Sequence, residues 1–348
     1  MAKRTDAAEV TVGSRTVRVS HPDKVYFPER GFTKLDVARY YLAVGDGILR
    51  ALRDRPTTME RFPDGVTGES FFQKRAPSNT PDWIPTGRIR FPSGRYADEI
   101  CPTEPAAVVW AANLGCLTFH PWPVRRTDLD HPDELRIDLD PQPGTGYPEA
   151  VRAAGELRAL LDELGLRGWP KTSGGRGLHI FVPIVPEWTF TGVRRAAIAI
   201  AREMERRMPE HITSAWWKEE RGTKIFVDYN QTARDRTIAC AYSIRPRPHA
   251  PVSAPLRWEE VPDARPQDFD LASMPVRYTE HGDVHAGMDA PEHRCRLDAV
   301  LELAERDERE RGLGDLPYPP DHPKMPGEPT RVQPSRARPA AEEDAPPP

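Results

Sequence analysis

Two aspartates, Asp138 and Asp140, stand one residue apart in DELRIDLDPQPG, at the end of an apolar-alternating run. Successive side chains of a strand face opposite ways, so both carboxylates point to one side while Ile137 and Leu139 point to the other. Such a pair is either a solvated strand face or part of a site for a divalent cation. Two further stretches bear on the choice. KTSGGRGLHIFVP sets Ser173, Arg176 and His179 around a glycine-rich hairpin whose backbone amides could face an anion. The hairpin has neither Walker nor Rossmann spacing. In TKIFVDYNQ, Asp228 falls where a third strand runs out, among Arg221, Lys224, Arg234, Arg236, Arg245 and Arg247. Each stretch alone has a bland reading: a core histidine, a hairpin without a ligand, a surface ion-pair network. Jointly they are the parts of metal-dependent phosphoryl or nucleotidyl transfer. Hard carboxylate oxygens suit magnesium or manganese, and arginines balance a triphosphate.

The elements that must position these groups follow from periodicity. From Leu135 the pattern runs strand, helix, strand, helix, strand, which predicts an α/β arrangement with loops gathered at one edge. Val151, Ala154, Leu157, Leu160, Leu161 and Leu164 share a helical face with Gly165 as a stop, LHIFVPI is a buried strand, and GVRRAAIAIAREMERRM is a second helix. Upstream, VTVGSRTVRVS is a hairpin, and Thr33 with Asp36 caps a helix carrying Leu35, Ala38, Tyr41, Leu42 and Leu49. Residues 55–120 hold short strands and one short helix.

The chain has 348 residues, 39 of them proline, about twice the usual share. From Pro251 onward 12 Lys and Arg face 21 Asp and Glu, while residues 1–250 hold 37 against 32. A mildly basic body with an acidic tail permits a polyanionic partner. No apolar run approaches a membrane span and no signal-peptide core is present, so the expected location is cytoplasmic, near the nucleoid, with no membrane partner. Cys101, Cys116, Cys240 and Cys295 form no C-x-x-C pair and are expected as isolated thiols. The HGDVH segment, His281 to His285, has metal-like spacing but no acidic or thiol cluster to complete a site.

DLDP, SGGRGLHIFVPI and KIFVDYNQ, in this order, resemble the catalytic signature of the archaeo-eukaryotic primase superfamily. More closely they resemble the polymerase domain of bacterial ligase D in non-homologous end joining. HPDKVYFPERGFTK, RPTTMERFPDGVTGESFFQK and the stretch ending FHPWPVR extend the resemblance over roughly residues 14–290. It implies a two-layer primase-polymerase core, sheets flanked by helices, with a flexible N-terminus at 1–13, a charged helix at 291–312 and a disordered, acidic, proline-rich tail at 313–348. It implies Asp138, Asp140 and Asp228 as catalytic metal ligands for two Mn²⁺ or Mg²⁺ ions. Ser173, Arg176, His179 and Arg245, with His120 and Lys224, would hold the incoming NTP or dNTP. Lys24 and Lys34 would take a 5′-phosphate, Phe71 and Phe72 would stack on template bases, and Arg221 and Gln231 would join the DNA contacts. The implied activity is template-directed filling of short gaps at double-strand breaks, favouring ribonucleotides, on gapped or overhanging ends, alongside Ku. With no K-x-D-G ligase motif in the sequence, a separate ATP-dependent DNA ligase is expected to seal the strand. Read from the residues alone, a two-metal nuclease or phosphohydrolase, or a non-catalytic DNA-end-binding module, stays open.

Overall fold

The computed structural model describes residues 6–91 and 94–318. Gly13, at φ +59°, turns the chain between β1 (Ala7–Val12) and β2 (Arg15–Ser20), an antiparallel hairpin with Val10 opposite Val17. This is the hairpin expected over 10–20, but it starts earlier: residues 7–9 of the stretch expected to be loose through 13 also join the strand, whose Val10 and Val12 bury in the same core as Val17 and Val19. A second small pair, β3 (Val25–Phe27) and β4 (Phe32–Thr33), leads into α1 (Lys34–Ala43). Thr33 and Asp36 form the expected capping box: Asp36 N donates to Thr33 Oγ1 at 3.3 Å and Thr33 N to Asp36 Oδ2 at 2.8 Å. The chain breaks at Val44 before α2 (Gly45–Leu52), so Leu49 belongs to a separate helix and Leu42 is left 38% exposed.

A five-stranded sheet then forms from β5 (Thr57–Arg61), β6 (Phe71–Gln73), β7 (Thr86–Arg90), β8 (Tyr96–Ile100) and, after α3 (Pro105–Asn113), β9 (Cys116–Pro121). Its path is β6-β5-β8-β7, with β9 pairing β5. Helix α3 is apolar nearly all round and buried over Ala106–Ala112, as expected of a helix enclosed by other elements.

The second sheet holds the D-x-D strand, β10 (Glu134–Pro141). After α4 (Tyr147–Glu163) come β11 (Trp169–Thr172) and β12 (Leu178–Pro183), then α5 (Phe190–Arg207), β13 (Ile212–Thr213) and β14 (Ile225–Asp228). The order is β11-β12-β10-β14-β13, antiparallel except between β13 and β14. Ile137 and Leu139 bury in one core with Leu157, Leu160 and Leu161 of α4 and Val193, Ala197 and Ile200 of α5. Burying such side chains contributes about 1.5–3 kcal/mol each, which fixes the register of β10 and turns its aspartates to the other face.

The chain continues through α6 (Ser273–His281) to α7 (Asp298–Arg311). Val300, Leu303 and Ala304 of α7 share the core of the second sheet, so the charged helix is part of that layer. Residues 313–318 dock on α5, where Arg194 donates to Leu316 O at 2.7 Å and Pro317 O at 2.8 Å. The remainder of the expected tail, residues 319–348, lies outside the described residues. All four cysteines are buried and free. Among the described residues no helix is long and apolar enough to cross a membrane.

One buried ionic cluster ties the sheets together. Arg55, ahead of β5, pairs with Asp133 at 2.5 Å and Glu134 at 2.8 Å; Arg136 adds a 2.8 Å contact to Glu134 and Arg125 a 2.7 Å contact to Asp133. Burial opposes ionisation of Glu134, yet Arg55 and Arg136 outweigh it and hold the carboxyl below its ordinary value.

Candidate active site

Strand register assembles the site. On β10, Asp138 stands directly opposite Asp228 of β14 on one side and His179 of β12 on the other. Lys171 of β11 stands opposite His179. Directly opposed residues share a face, so Lys171, His179, Asp138 and Asp228 form a row across four strands. Asp140 lies on the same face one step on, opposite Phe226. Together with the hairpin 173–177 and residues of the segment 237–247, the three aspartates and His179 line a cleft of about 420 Å³, with Lys171 buried behind His179. His120, Ser173, Arg176, Gln231 and Arg245 line it as well.

The hairpin is built differently from expectation. Two of its amides are already taken: Gly175 N and Gly177 N both donate to Ser173 Oγ, at 3.1 and 3.2 Å. Ser173 Oγ thereby closes the turn and keeps its own hydrogen available to a ligand. Side chains add charge to the anion-binding capacity of the cleft, with Arg245 and Arg247 at its wall and Arg176 anchored to Pro141 O at 3.1 Å. Glycine is required here. A Cβ at Gly177 would stand 2.4 Å from Leu139 O, and one at Gly174, where φ is +71°, 2.3 Å from Arg245 Cγ.

Electrostatics separate the carboxylates. Burial raises Asp138 well above the ordinary carboxylate range, and Asp228 and Asp140 add to the shift against the pull of Lys171 and Arg245. Burial raises Asp228 too, although Asn230 N and Gln231 Nε2, both at 2.9 Å, favour its ionised form. His179, desolvated and near Lys171, is held well below its usual range and is neutral. Its Nε2 lies 3.4 Å from Asp138 Oδ1. Burial likewise lowers His120, which contacts Glu60 Oε2 at 3.3 Å.

Among the described residues no group of three His, Cys, Asp or Glu side chains is already disposed around one metal position. The reason is local: Asp228 is turned to Asn230 and Gln231, and Asp140 Oδ2 accepts from Gln142 Nε2 at 3.1 Å. The donor set nevertheless fits a hard divalent ion. Three carboxylates share one face, and two of them are directly opposed with raised proton affinity, a repulsion that a divalent charge relieves.

Two expected ligand contacts fall elsewhere. Lys224 precedes β14 and donates to Pro209 O at 2.7 Å, away from the cleft. Arg221 is buried with its guanidinium 3.4 Å over the Phe226 ring and donates to Ala215 O and Trp216 O. It braces the strand that carries Asp228, with its guanidinium turned inward rather than toward DNA. His285 is buried, with Nε2 2.8 Å from Pro170 O, a structural role for the HGDVH segment.

A cationic patch adjoins the cleft. Lys24 contacts Asp64 at 2.5 Å, and Lys34 Nζ donates to Ser20 Oγ at 3.0 Å. Burial, then Lys24 and Arg61, lower Lys34 to about 8. Phe71 and Phe72, 45% and 60% exposed on the short strand β6, link patch and cleft. The Arg61 guanidinium sits 5.1 Å from the Phe71 ring, while Phe72 meets His120 edge-on at 5.4 Å. Arg61, Glu60 and Lys171 were not singled out from sequence, and Arg247 was named only as one of the cations around Asp228. All of them lie in stretches that could have flagged them: Glu60 and Arg61 in RPTTMERFPDGVTGESFFQK and Lys171 in KTSGGRGLHIFVP.

Comparison with known proteins agrees with this geometry. The family described as "LigD, primase-polymerase domain" matches residues 33–285. The multifunctional non-homologous end joining protein LigD of Mycolicibacterium smegmatis is 35% identical over 276 residues, covering 79% of this chain and 36% of that protein. The bifunctional LigD of Bacillus subtilis is 35% identical over 262 residues, 75% of this chain and 42% of that one. The chain thus spans well under half the length of these relatives. Among solved structures, the polymerase domain of Mycobacterium tuberculosis ligase D in complex with DNA superposes with a TM-score of 0.75 at 30% identity, covering 79% of this chain and 98% of that one.

Proposed function

Since the chain belongs to the LigD primase-polymerase family, we propose that it is a template-directed nucleotidyltransferase that fills short gaps at double-strand break ends in non-homologous end joining. The primer 3′-hydroxyl attacks the α-phosphate of a nucleoside triphosphate; a P–O bond forms to the primer and the bond to pyrophosphate breaks. The observation that carries this reading is the opposition of Asp138 and Asp228 across β10 and β14, with Asp140 on the same face, beside a cleft walled by Arg245 and Arg247.

Asp138, Asp140 and Asp228 would hold Mn²⁺ or Mg²⁺, two ions in the reading favoured here. Bound there, such ions would lower the pKa of the attacking hydroxyl and offset charge on the departing pyrophosphate. The chain's own groups bind and orient. Arg245, Arg247 and Arg176 meet the triphosphate with charge-assisted donors, and Ser173 Oγ and His179 add neutral ones. Lys24, Lys34 and Arg61 form a cationic pocket suited to a 5′-phosphate at the far side of a gap. Phe71 and Phe72 offer exposed faces to template bases, worth about 1–3 kcal/mol per stacked base.

Ribonucleotide preference, partnership with Ku and with an ATP-dependent DNA ligase activity, and action on DNA in the cytoplasm belong to this proposal. The names of the relatives support the pathway. The test is a labelled primer on gapped DNA with and without a 5′-phosphate, incubated with NTPs or dNTPs and manganese. Lengthening, greater with NTPs and with the phosphate, is the expected result. Shortening would identify a nuclease using the same carboxylates, and tight end binding without either would identify a non-catalytic module.

A further inference from the structure

Residues 313–318 form a strap along α5 that the proposed activity does not use. Arg202 donates to Leu313 O at 2.8 Å and Gly314 O at 2.9 Å, Arg195 donates to Asp315 Oδ1 at 3.0 Å, and Leu316 packs on the core of the second sheet. The strap ends on Arg194, a buried side chain of α5. Its guanidinium donates to Leu316 O at 2.7 Å, Pro317 O at 2.8 Å and Asn230 Oδ1 at 3.0 Å. It also lies 4.7 Å from the Tyr318 ring and 5.4 Å from the Tyr229 ring. A guanidinium can only donate, so the oxygen of the Asn230 amide must face it. All three acceptors are neutral, and a buried cation is costly unless its donors are taken. Two of the three come from the strap. Beyond this junction stands Asp228. Asn230 belongs to the single 3₁₀ turn Tyr229–Thr232 that follows β14, and its backbone N donates to Asp228 Oδ1 at 2.9 Å. Arg194 thus grips the side chain of the residue whose amide holds the carboxylate. From Leu316 and Pro317 through Arg194 and Asn230 to Asp228, donor and acceptor are fixed at every step.

We propose that Arg194 is a positioning residue for Asp228 and that the strap completes it. Docked, residues 313–318 lock Arg194, which holds the turn 229–232 and with it the carboxylate. Undocked, the strap leaves Arg194 with Asn230 alone, water reaches the guanidinium and the turn loosens. What Asp228 binds rests on the nucleotidyl-transfer reading; the mechanical link between strap and turn does not, so the two can fail separately.

Two measurements on the full chain test this. Leu316→Asp sets a charge against the core and should dislodge the strap. In the metal-free variant, amide hydrogen exchange at 229–232, read by mass spectrometry, is expected to speed at least about tenfold. Unchanged exchange there would overturn the link, even if the protein extends primers. The second measurement follows manganese binding through the electron paramagnetic resonance of the free ion, without nucleotide or DNA. Leu316→Asp is expected to weaken that binding about tenfold, as loss of a group that orients a metal ligand implies. In the Asn230→Ala background the same substitution should add almost nothing, because its effect passes through that side chain. Independent, multiplying penalties, or a lower melting temperature with unchanged manganese affinity, would show that the strap merely supports the fold. Should the wild type bind no manganese, the nucleotidyl-transfer reading fails and the exchange measurement still decides the link. Should Leu316→Asp not fold, Tyr318→Ala, which removes the ring over Arg194, takes its place in both measurements. A change of about twofold or more in the same direction is then expected, and no change would contradict the proposal.

Discussion

Two half-buried carboxylates facing each other across a strand pair are costly unless a cation joins them, and pH-dependent melts can read that cost. Asp138 is raised by burial and by its neighbours, so it binds a proton more tightly folded than unfolded. Its ionisation therefore weakens the metal-free fold as pH climbs above 3.8, the ordinary value. Asp138→Asn is expected to raise the melting temperature of the metal-free protein at neutral pH. The gain should vanish as pH falls below 3.8, where the wild-type carboxyl is protonated in both states. Thermal melts across pH with a chelator present check this. Asp140→Ala, by contrast, should abolish primer extension while leaving DNA affinity within a few-fold, read by anisotropy on the same gapped substrate; equal loss of both would indicate a structural role. At this scale the sequence was legible where spacing alone decides, as for the shared face of Asp138 and Asp140. It was not legible where a side chain chooses its direction. Spacing cannot reveal that Arg221 folds inward over Phe226, or that Lys171 turns to His179.

The strands and the glycine hairpin act as a jig. Period-two alternation in 134–141 and the buried run LHIFVPI are visible in the sequence, as are α4 and α5, because burial on one face imposes their periods. The pairing of β10 with both β12 and β14 is not, since it joins residues some 40 and 90 positions apart through contacts that no local pattern encodes. The hairpin shows the same division: its glycines announce a tight turn, but the capture of two amides by Ser173 Oγ is a tertiary choice. Two glycine substitutions separate site from scaffold. Gly177→Ala drives a methyl to 2.4 Å from Leu139 O, so it should displace β10 from β12, lowering stability by about 2 kcal/mol or more and removing extension activity. Gly155→Ala, within α4 with open space around it, should stabilise by about 0.5–1 kcal/mol and leave activity unchanged. Denaturant melts and extension assays on both variants test the contrast.

Across the whole molecule, two sheets with separate cores are held in register by the ionic cluster of Arg55, Asp133, Glu134 and Arg136. Arg55→Ala would leave Asp133 to Arg125 alone and Glu134 to Arg136 alone, and should cost about 3 kcal/mol in denaturant unfolding, more than loss of a surface pair. The charge balance of the body, 37 basic against 32 acidic residues before Pro251, only permits a polyanionic partner, and the cations the proposal uses are local. Lys24, Lys34 and Arg61 come from three different segments and gather beside Phe71. Lys34→Ala should therefore erase the preference for a 5′-phosphorylated gap while sparing extension on an unphosphorylated one, as compared in paired extension assays. The central claim is that Asp138, Asp140 and Asp228 act as one unit in nucleotidyl transfer. Single-turnover incorporation of one labelled nucleotide on gapped DNA with manganese, comparing wild type with Asp228→Asn at matched DNA occupancy, tests it most directly. The account predicts addition by the wild type and a loss of at least a thousandfold in the variant; incorporation by Asp228→Asn at near wild-type rate would contradict it.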